Sequence, residues 1–438
     1  MEFGVTASPP TFSDLVRTFA RIGCLSFGGP AGQIALMHRE VVEERQWVSE
    51  ENYLHALNFC HFLPGPEAQQ LATWIGWKLH GWRGGLAAGL LFVVPGAAVI
   101  LALSVLYAVA ADLHWFAALF LGIKAAVLAI VLQALIRIAG RALSTRFKQV
   151  LALAAFVALA LLALPFPLVV LGAGALGFAV AALRPDWLGI KPGGPAPSLP
   201  PRPWAASLRS VLLWGTVWAA PLVLVLLTLG RDHVLWQIGA FFSQLAVVTF
   251  GGAYAVLAYM AQEAVGTFGW LSTGEMADGL GLAETTPGPL ILVTQFVGYL
   301  AAFRAPEPFS PLVAGMLGAM LTTWVTFAPC FLWIFTFAPW IERLEQAVKL
   351  KGALAAVTAA VVGVIGSLAL WFAGHLLFAR FDSGRPADLP FDLPVWASFD
   401  WRAALLALLS AGLLFGLKWG VVRVLAVAAL GGLALAQF

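Results

Sequence analysis

The sequence predicts an all-α polytopic membrane protein of two homologous halves, arranged as inverted-topology repeats with broken or re-entrant helices. Three observations predict it. Of 438 residues, 61% are hydrophobic and 11% charged, with a mean hydropathy of +0.89, far from the roughly 45–50% apolar and about 25% charged of soluble domains. The apolar runs are long enough to cross a hydrocarbon core of about 30 Å and too many for one anchor, and they lack the short alternating segments of an outer-membrane barrel. Last, an offset of 223 carries Pro64-Gly65-Pro66 onto Pro287-Gly288-Pro289. The chain repeats itself.

In order, Thr11 to Met37 forms a first segment with Asp14, Arg17 and Arg21 on one helical face and a break at Phe27-Gly28-Gly29-Pro30. Its N-terminal flank lacks the basic region, apolar core and small-residue cleavage site of a secretory peptide, so the segment is expected to stay. A charged stretch, His38 to Asn52, leads into Tyr53 to Leu79, where Pro64-Gly65-Pro66 removes backbone donors and stops the helix. Gly85 to Ala111 follows, then Trp115 to Ala139 with Lys124 inside and a basic patch at Arg137, Arg141, Arg146 and Lys148. Val150 to Leu164 and Pro167 to Leu183 flank Pro165 and complete a first repeat over 1–183.

From 184 to 207 the chain is proline- and glycine-rich, which marks a semi-rigid linker. An extra span over 208–229 precedes the second repeat, 230–438, with further segments at Pro311 to Phe337, Gly352 to Phe378, Ala403 to Gly416 and Val421 to Ala436. Thirteen candidate segments result, six before the linker and seven after it. The same offset aligns Phe27-Gly28-Gly29 with Phe250-Gly251-Gly252, Met37 with Met260, Glu40 with Glu263, Trp47 with Trp270 and Ser49 with Ser272. Chance does not hold one offset so long. Ser272 and Glu275 form a capping-box pattern that starts the second Pro-Gly-Pro helix.

If every segment crosses, Lys78, Arg83, the Arg137–Lys148 patch and the linker cations share one side, the cytoplasmic one. The Glu-rich stretch after His38 and the acidic loop from Asp382 to Asp400 fall opposite. An odd number of segments then separates the repeat starts, and the extra span over 208–229 reverses the second insertion. Re-entry of one pair of broken segments would flip that parity.

A Gly-Pro break leaves the next half-helix with unpaired N–H groups and a partial positive charge, which suits an anion. Broken helices at matching places in two repeats point to a transporter's binding site. The substrate-binding candidates are therefore Pro64, Gly65 and Pro66, Pro287, Gly288 and Pro289, and the hydroxyls of Thr285 and Thr286. Pro66 and Pro289 suit the first helical position. Gly28, Gly29, Gly251 and Gly252 would let a second pair of backbones approach. Gln70 shares a face with Glu67, and Arg21 and Lys124 are cations placed to meet a divalent anion.

Glu67, in the first turn after Pro66, and Glu284, the nearest carboxyl in the second half, are the proton-coupling candidates. The plainer alternatives are packed kinks at the breaks, a helix-start acid at Glu67, and a stripe of ion pairs from Asp14 to Arg17 and Arg21. Trp47 and Trp270 read as interface anchors. Cys24, Cys60 and Cys330 stand apart in apolar runs and read as core. The seven His form no ligand cluster, and no P-loop or dinucleotide motif occurs, so no cofactor, metal, nucleic acid or enzymatic chemistry is expected.

The stretches FGGPAGQIALMHRE, LPGPEAQQLATWIGWKLHGWRGGLAAGLLFVVPG, TFGGAYAVLAYMAQEAV and TTPGPLILVTQFVGYLAA resemble the paired signatures of the chromate ion transporter family, in its long two-domain form. That resemblance covers essentially the whole chain. It implies a multi-pass carrier of the bacterial inner membrane, an antiporter that expels chromate and confers chromate resistance, driven by the proton motive force, with sulfate as a related oxyanion. Protons and the lipid bilayer are then its other partners. Sulfate uptake or exchange, and a passive anion channel, stand as alternatives. Ala253 replaces Pro30 in the second half, and oligomeric state stays open, a homodimer among the options.

Overall fold

The computed structural model describes residues 10–27, 29–110, 113–190, 204–250, 253–382 and 393–435. Gly28, Gly251, Gly252 and most of the linker lie outside them.

The first repeat opens with two half-helices, α1 (Phe12–Leu25) and α2 (Gly29–His38), followed by α3 (Glu50–Cys60) and α4 (Glu67–Ala110). Asp14 serves α1 as a cap. Its carboxylate and the Thr11 hydroxyl complete a reciprocal capping box, so it does not form the stripe with Arg17. α4 is two helices joined at His80–Gly81, where the backbone leaves helical geometry, and the second passes through Pro95 unbroken. α5 (His114–Ala142) follows, then the hairpin α6 (Arg146–Ala160) and α7 (Phe166–Leu183). The extra span is α8 (Trp204–Leu229).

The second repeat runs α9 (Val234–Val248), α10 (Ala253–Gln262), α11 (Thr273–Thr285), α12 (Val293–Arg304) and α13 (Pro311–Phe337). A short α14 (Ile341–Gln346) leads to α15 (Val348–Leu377) and the hairpin α16 (Trp401–Ala411) and α17 (Val421–Leu435). Among the described residues the departures from helical structure include a two-stranded antiparallel pair, Phe381–Asp382 with Leu393–Pro394, after α15, and an isolated bridge between Phe378 and Phe399. Among the described residues six helices, α4, α5, α7, α8, α13 and α15, are long and apolar enough to cross a membrane.

The repeats agree in detail that composition does not specify. A π-turn follows α2 at Arg39–Glu44 and α10 at Glu263–Thr267. After it, Trp47 N–H donates to Val41 O in one repeat, and Trp270 N–H to Ala264 O in the other. Gln46 and Gly269, one offset apart, both take positive φ there. That turn carries both indoles inward. Trp47 is 8% and Trp270 7% exposed, so neither is the interface anchor its flanking charges suggest. The Ser272–Glu275 capping box is present, with the Ser49 hydroxyl capping α3 at the equivalent place. Cys60 and Cys330 are buried as expected, whereas Cys24 is exposed.

The compact units do not follow the sequence halves. One contains residues 1–105, 193–256 and 286–347; the other contains 106–192, 257–285 and 348–438. Each draws on both repeats. In the second unit α5 packs against α16 and α17, while α15 packs against α6 and α7, so each long helix lies on the other repeat's hairpin. Small residues allow that closeness. A Cβ at Gly122 of α5 would strike the backbone of Ala428 in α17, and one at Gly177 of α7 the Gly352 carbonyl of α15.

Candidate functional site

Both Pro-Gly-Pro corners lie in the first unit. At each, the central glycine takes a backbone that L side chains rarely adopt, φ +111° at Gly65 and +92° at Gly288. The flanking prolines fix the entry and exit. At the first corner α4 starts at Glu67; at the second a 3-10 turn, Leu290–Leu292, with Pro289 in extended geometry as its N-cap, leads into α12. The expectation of proline at the first helical position is thus off by one residue. The shift matters, because proline has no side-chain acceptor with which to cap the following amides.

The corners close on the opposite repeat. Gly65 N–H donates to Thr249 O at 2.8 Å, where α9 ends, and Gly288 N–H donates to Ser26 O at 2.9 Å, where α1 ends. Since Ser26 and Thr249 are one offset apart, as are Gly65 and Gly288, this is one contact made twice with the roles of the repeats exchanged. Such reciprocity is the mark of a two-fold relation between the elements that make it. Each corner also meets the opposite repeat's long helix beside an internal proline. A Cβ at Gly65 would lie 3.1 Å from Cys330 Sγ, next to Pro329 of α13, and one at Gly96, next to Pro95 of α4, would strike Pro287 O.

Glutamine amides fasten the corner carbonyls. Gln70 Nε2 donates to Pro64 O at 2.6 Å, and Gln33 Nε2 donates to Gly288 O. Both glutamines are fully or almost fully buried; the bond to Gly288 O is buried and that to Pro64 O partly so, and each amide satisfies a corner carbonyl. Ser26, wholly buried beside the carbonyl that receives Gly288, has no partner for its hydroxyl among the described residues. Across the first corner His61 Nδ1 lies 3.1 Å from Glu67 Oε1.

The remaining predicted residues are distributed otherwise. Thr286 is buried at the second corner, whereas Thr285 bonds back to Leu282 O at the end of α11. Glu284 and Thr285 belong to the second unit, Glu284 being buried. Gly29 starts α2 with φ +69°; Gly28, Gly251 and Gly252 fall outside the described residues.

Arg21 is more than half exposed and pairs with the buried Glu40 at 3.6 Å, a carboxylate that Arg45 holds more closely at 2.8 Å. Lys124 lies in the second unit, 3.1 Å from Asp278 Oδ1, and Tyr107 donates to the other carboxylate oxygen at 2.7 Å. Both predicted cations therefore already face a carboxylate. Among the described residues no group of His, Cys, Asp and Glu is placed to hold a metal.

Sequence reasoning missed Ser26, Gln33, Gly96, Thr249 and His61. The signal for two of them was present, since Ser26 and Thr249 are hydroxyl residues one offset apart. Gln33 has Val256 as its counterpart, so repetition does not single it out.

A family model described as "Chromate transporter" matches this chain twice, over residues 13–178 and 236–433. The chain belongs to the chromate transporter family. Each match covers one of the repeats read from the offset, which makes the two halves homologous. With six helices of spanning length and composition, it is a multi-pass protein of the bacterial inner membrane.

The chain is 31% identical over 418 residues to the chromate transport protein of Pseudomonas aeruginosa, covering 92% of each. It is 30% identical over 360 residues to a protein of Synechococcus elongatus described as a probable chromate transport protein, covering 81% of this chain and 84% of the relative. The chromate transport protein of Cupriavidus metallidurans is 29% identical over 366 residues, with 82% of each chain covered. No solved structure matches the chain.

Proposed function

We propose that this chain carries chromate, a divalent tetrahedral oxyanion, outward across the inner membrane, coupled to the proton motive force, with sulfate as a competing cargo. The observation that carries this reading is the pair of exchanged corners, each opening a helix whose cap is a proline. Helix starts of that kind present amides and the positive end of the helix dipole to an anion. At the first corner the amides of Glu67, Ala68 and Gln69 are in that position; at the second, those of Leu290 and Ile291. Thr286 and Ser26 add hydroxyl donors on one side. Arg21 and Lys124 suit the role less well, because carboxylates already neutralise them.

The relatives named for chromate transport support the choice of cargo, and sulfate, alike in charge and shape, is the expected competitor. The exchange of contacts fits a two-fold relation between the repeats, and the odd number of segments between their starts is the ground for reading it as opposite insertion, an architecture of carriers with a midplane site. The test is uptake of labelled chromate by everted vesicles containing the full chain, with imposed pH gradients and membrane potentials. Accumulation against a chromate gradient, reduced by sulfate, is the expected result. Flux that only dissipates gradients would make the protein a channel, and no flux above empty vesicles would overturn the reading.

A further inference from the structure

His61 and Glu67 face each other across the first Pro-Gly-Pro corner, with Nδ1 and Oε1 at 3.1 Å and side chains 48% and 14% exposed. His61 is the C-cap of α3, where the chain turns into the corner, and Glu67 opens the half-helix whose amides the functional reading assigns to the anion. An ionised carboxylate there occupies the same positive helix end that would draw a dianion and repels that dianion as well. Histidine is the side chain whose charge ordinarily changes near neutral pH.

The second corner lacks this arrangement, because Glu284 and Leu290 stand where His61 and Glu67 do. Among the described residues the buried thiols of Cys60, on α3, and Cys330, on α13, are titratable groups beside the pair, and the sequence of the short α14 that packs on α3 carries Glu342, Arg343 and Glu345.

We propose that His61 and Glu67 are a proton-accepting clasp, and that the proton they take up admits the divalent anion to the first corner. This deepens the functional reading and rests on it. Wherever the proton settles, the clasp becomes more positive by one charge, so anion and proton each tighten the other's binding; a dianion leaving with one proton still carries one net negative charge, which an inside-negative potential drives outward. Linkage makes that effect reciprocal: the factor by which a proton raises anion affinity is the factor by which the anion raises proton affinity.

The experiment measures chromate binding to the purified full chain from about pH 6 to about pH 8.5, across the ordinary histidine range. Wild type is compared with Glu67→Gln and His61→Gln; chromate's own protonation is common to all three and cancels in their ratio. With one linked proton, the ratio of Glu67→Gln to wild-type affinity should rise with pH by up to about tenfold per unit. His61→Gln should shift the wild-type curve. A ratio constant with pH overturns the proposal.

Proton uptake by the wild type on adding chromate at the alkaline end needs no variant. About one proton per bound anion is expected, and none overturns the proposal even if a variant misfolds. A wild type that binds no chromate at any pH instead removes the functional reading, a failure visible before any variant is made.

Discussion

Replacing Gly288 by alanine tests the exchanged corners most directly. At φ +92° the new side chain is held in a sparsely populated backbone region, at a cost on the order of 1–3 kcal/mol. Its Cβ would lie 2.9 Å from Leu292 Cδ1 and 3.2 Å from Gly96 Cα. The leucine methyl can rotate away, but the glycine backbone must move by a few tenths of an ångström. Together these put the perturbation at about 2–4 kcal/mol, or roughly 30- to 1000-fold in the population of the closed corner.

Chromate uptake and thermal unfolding of the detergent-solubilised chain should both fall in Gly288→Ala. Adding Leu292→Ala relieves the crowding while leaving φ unchanged, so the double variant should recover only part of the loss. Gly215→Ala, in the middle of α8 with open space around its Cβ, serves as the control and should be neutral or stabilising by up to about 1 kcal/mol. Wild-type uptake and stability in Gly288→Ala would refute the view that this corner must keep its strained turn.

Three further outcomes follow from the same geometry. Asp278→Asn leaves the partly buried Lys124 ammonium without its counter-charge and should destabilise the chain by up to about 3 kcal/mol, read as a lower unfolding temperature; Lys124→Met with Asp278→Leu should restore it. Chromate uptake by that stable double variant would assign the pair to structure, and its loss would return Lys124 to the transport path. Gln33→Leu strips Gly288 O of its buried donor and should cost about 1–3 kcal/mol, with uptake falling further than in a Gln149→Leu control at the exposed start of α6. Glu40→Gln leaves Arg45 facing a neutral amide; losing this charge pair on the fully buried Glu40 side chain should destabilise by a few kcal/mol, and an unchanged unfolding temperature would show the pair to be dispensable.

The repeat was legible because identical residues at one offset are a property of the string itself, and the corners were legible because proline and glycine act on their own backbone. Partners were not. Lys124 stood out as a lone cation in an apolar run, but nothing in the sequence says that α11 will bring Asp278 to it. Arg21 stood out for the same reason, and its buried acceptor was among the residues already paired by the repeat, as Glu40 with Glu263. Trp47 and Trp270 went astray because flanking charge reports proximity to water, whereas a π-turn decides which way a ring points. Local rules fix where a helix stops; only packing fixes what it stops against.

That difference matters most for the exchanged contacts. An offset identifies which segments are alike, and likeness allows two arrangements: each repeat folded on itself, or each completed by the other. Here Gly65 closes on Thr249 and Gly288 on Ser26, so neither corner is finished by its own repeat. A corner cannot open without breaking a hydrogen bond to the other repeat's break, and the released Ser26 or Thr249 carbonyl must find another donor in a buried place. Motion at one corner is therefore felt first at the opposite repeat's half-helix, and the titratable clasp of His61 and Glu67 at one corner only means that the two ends of this exchange need not respond alike to protons.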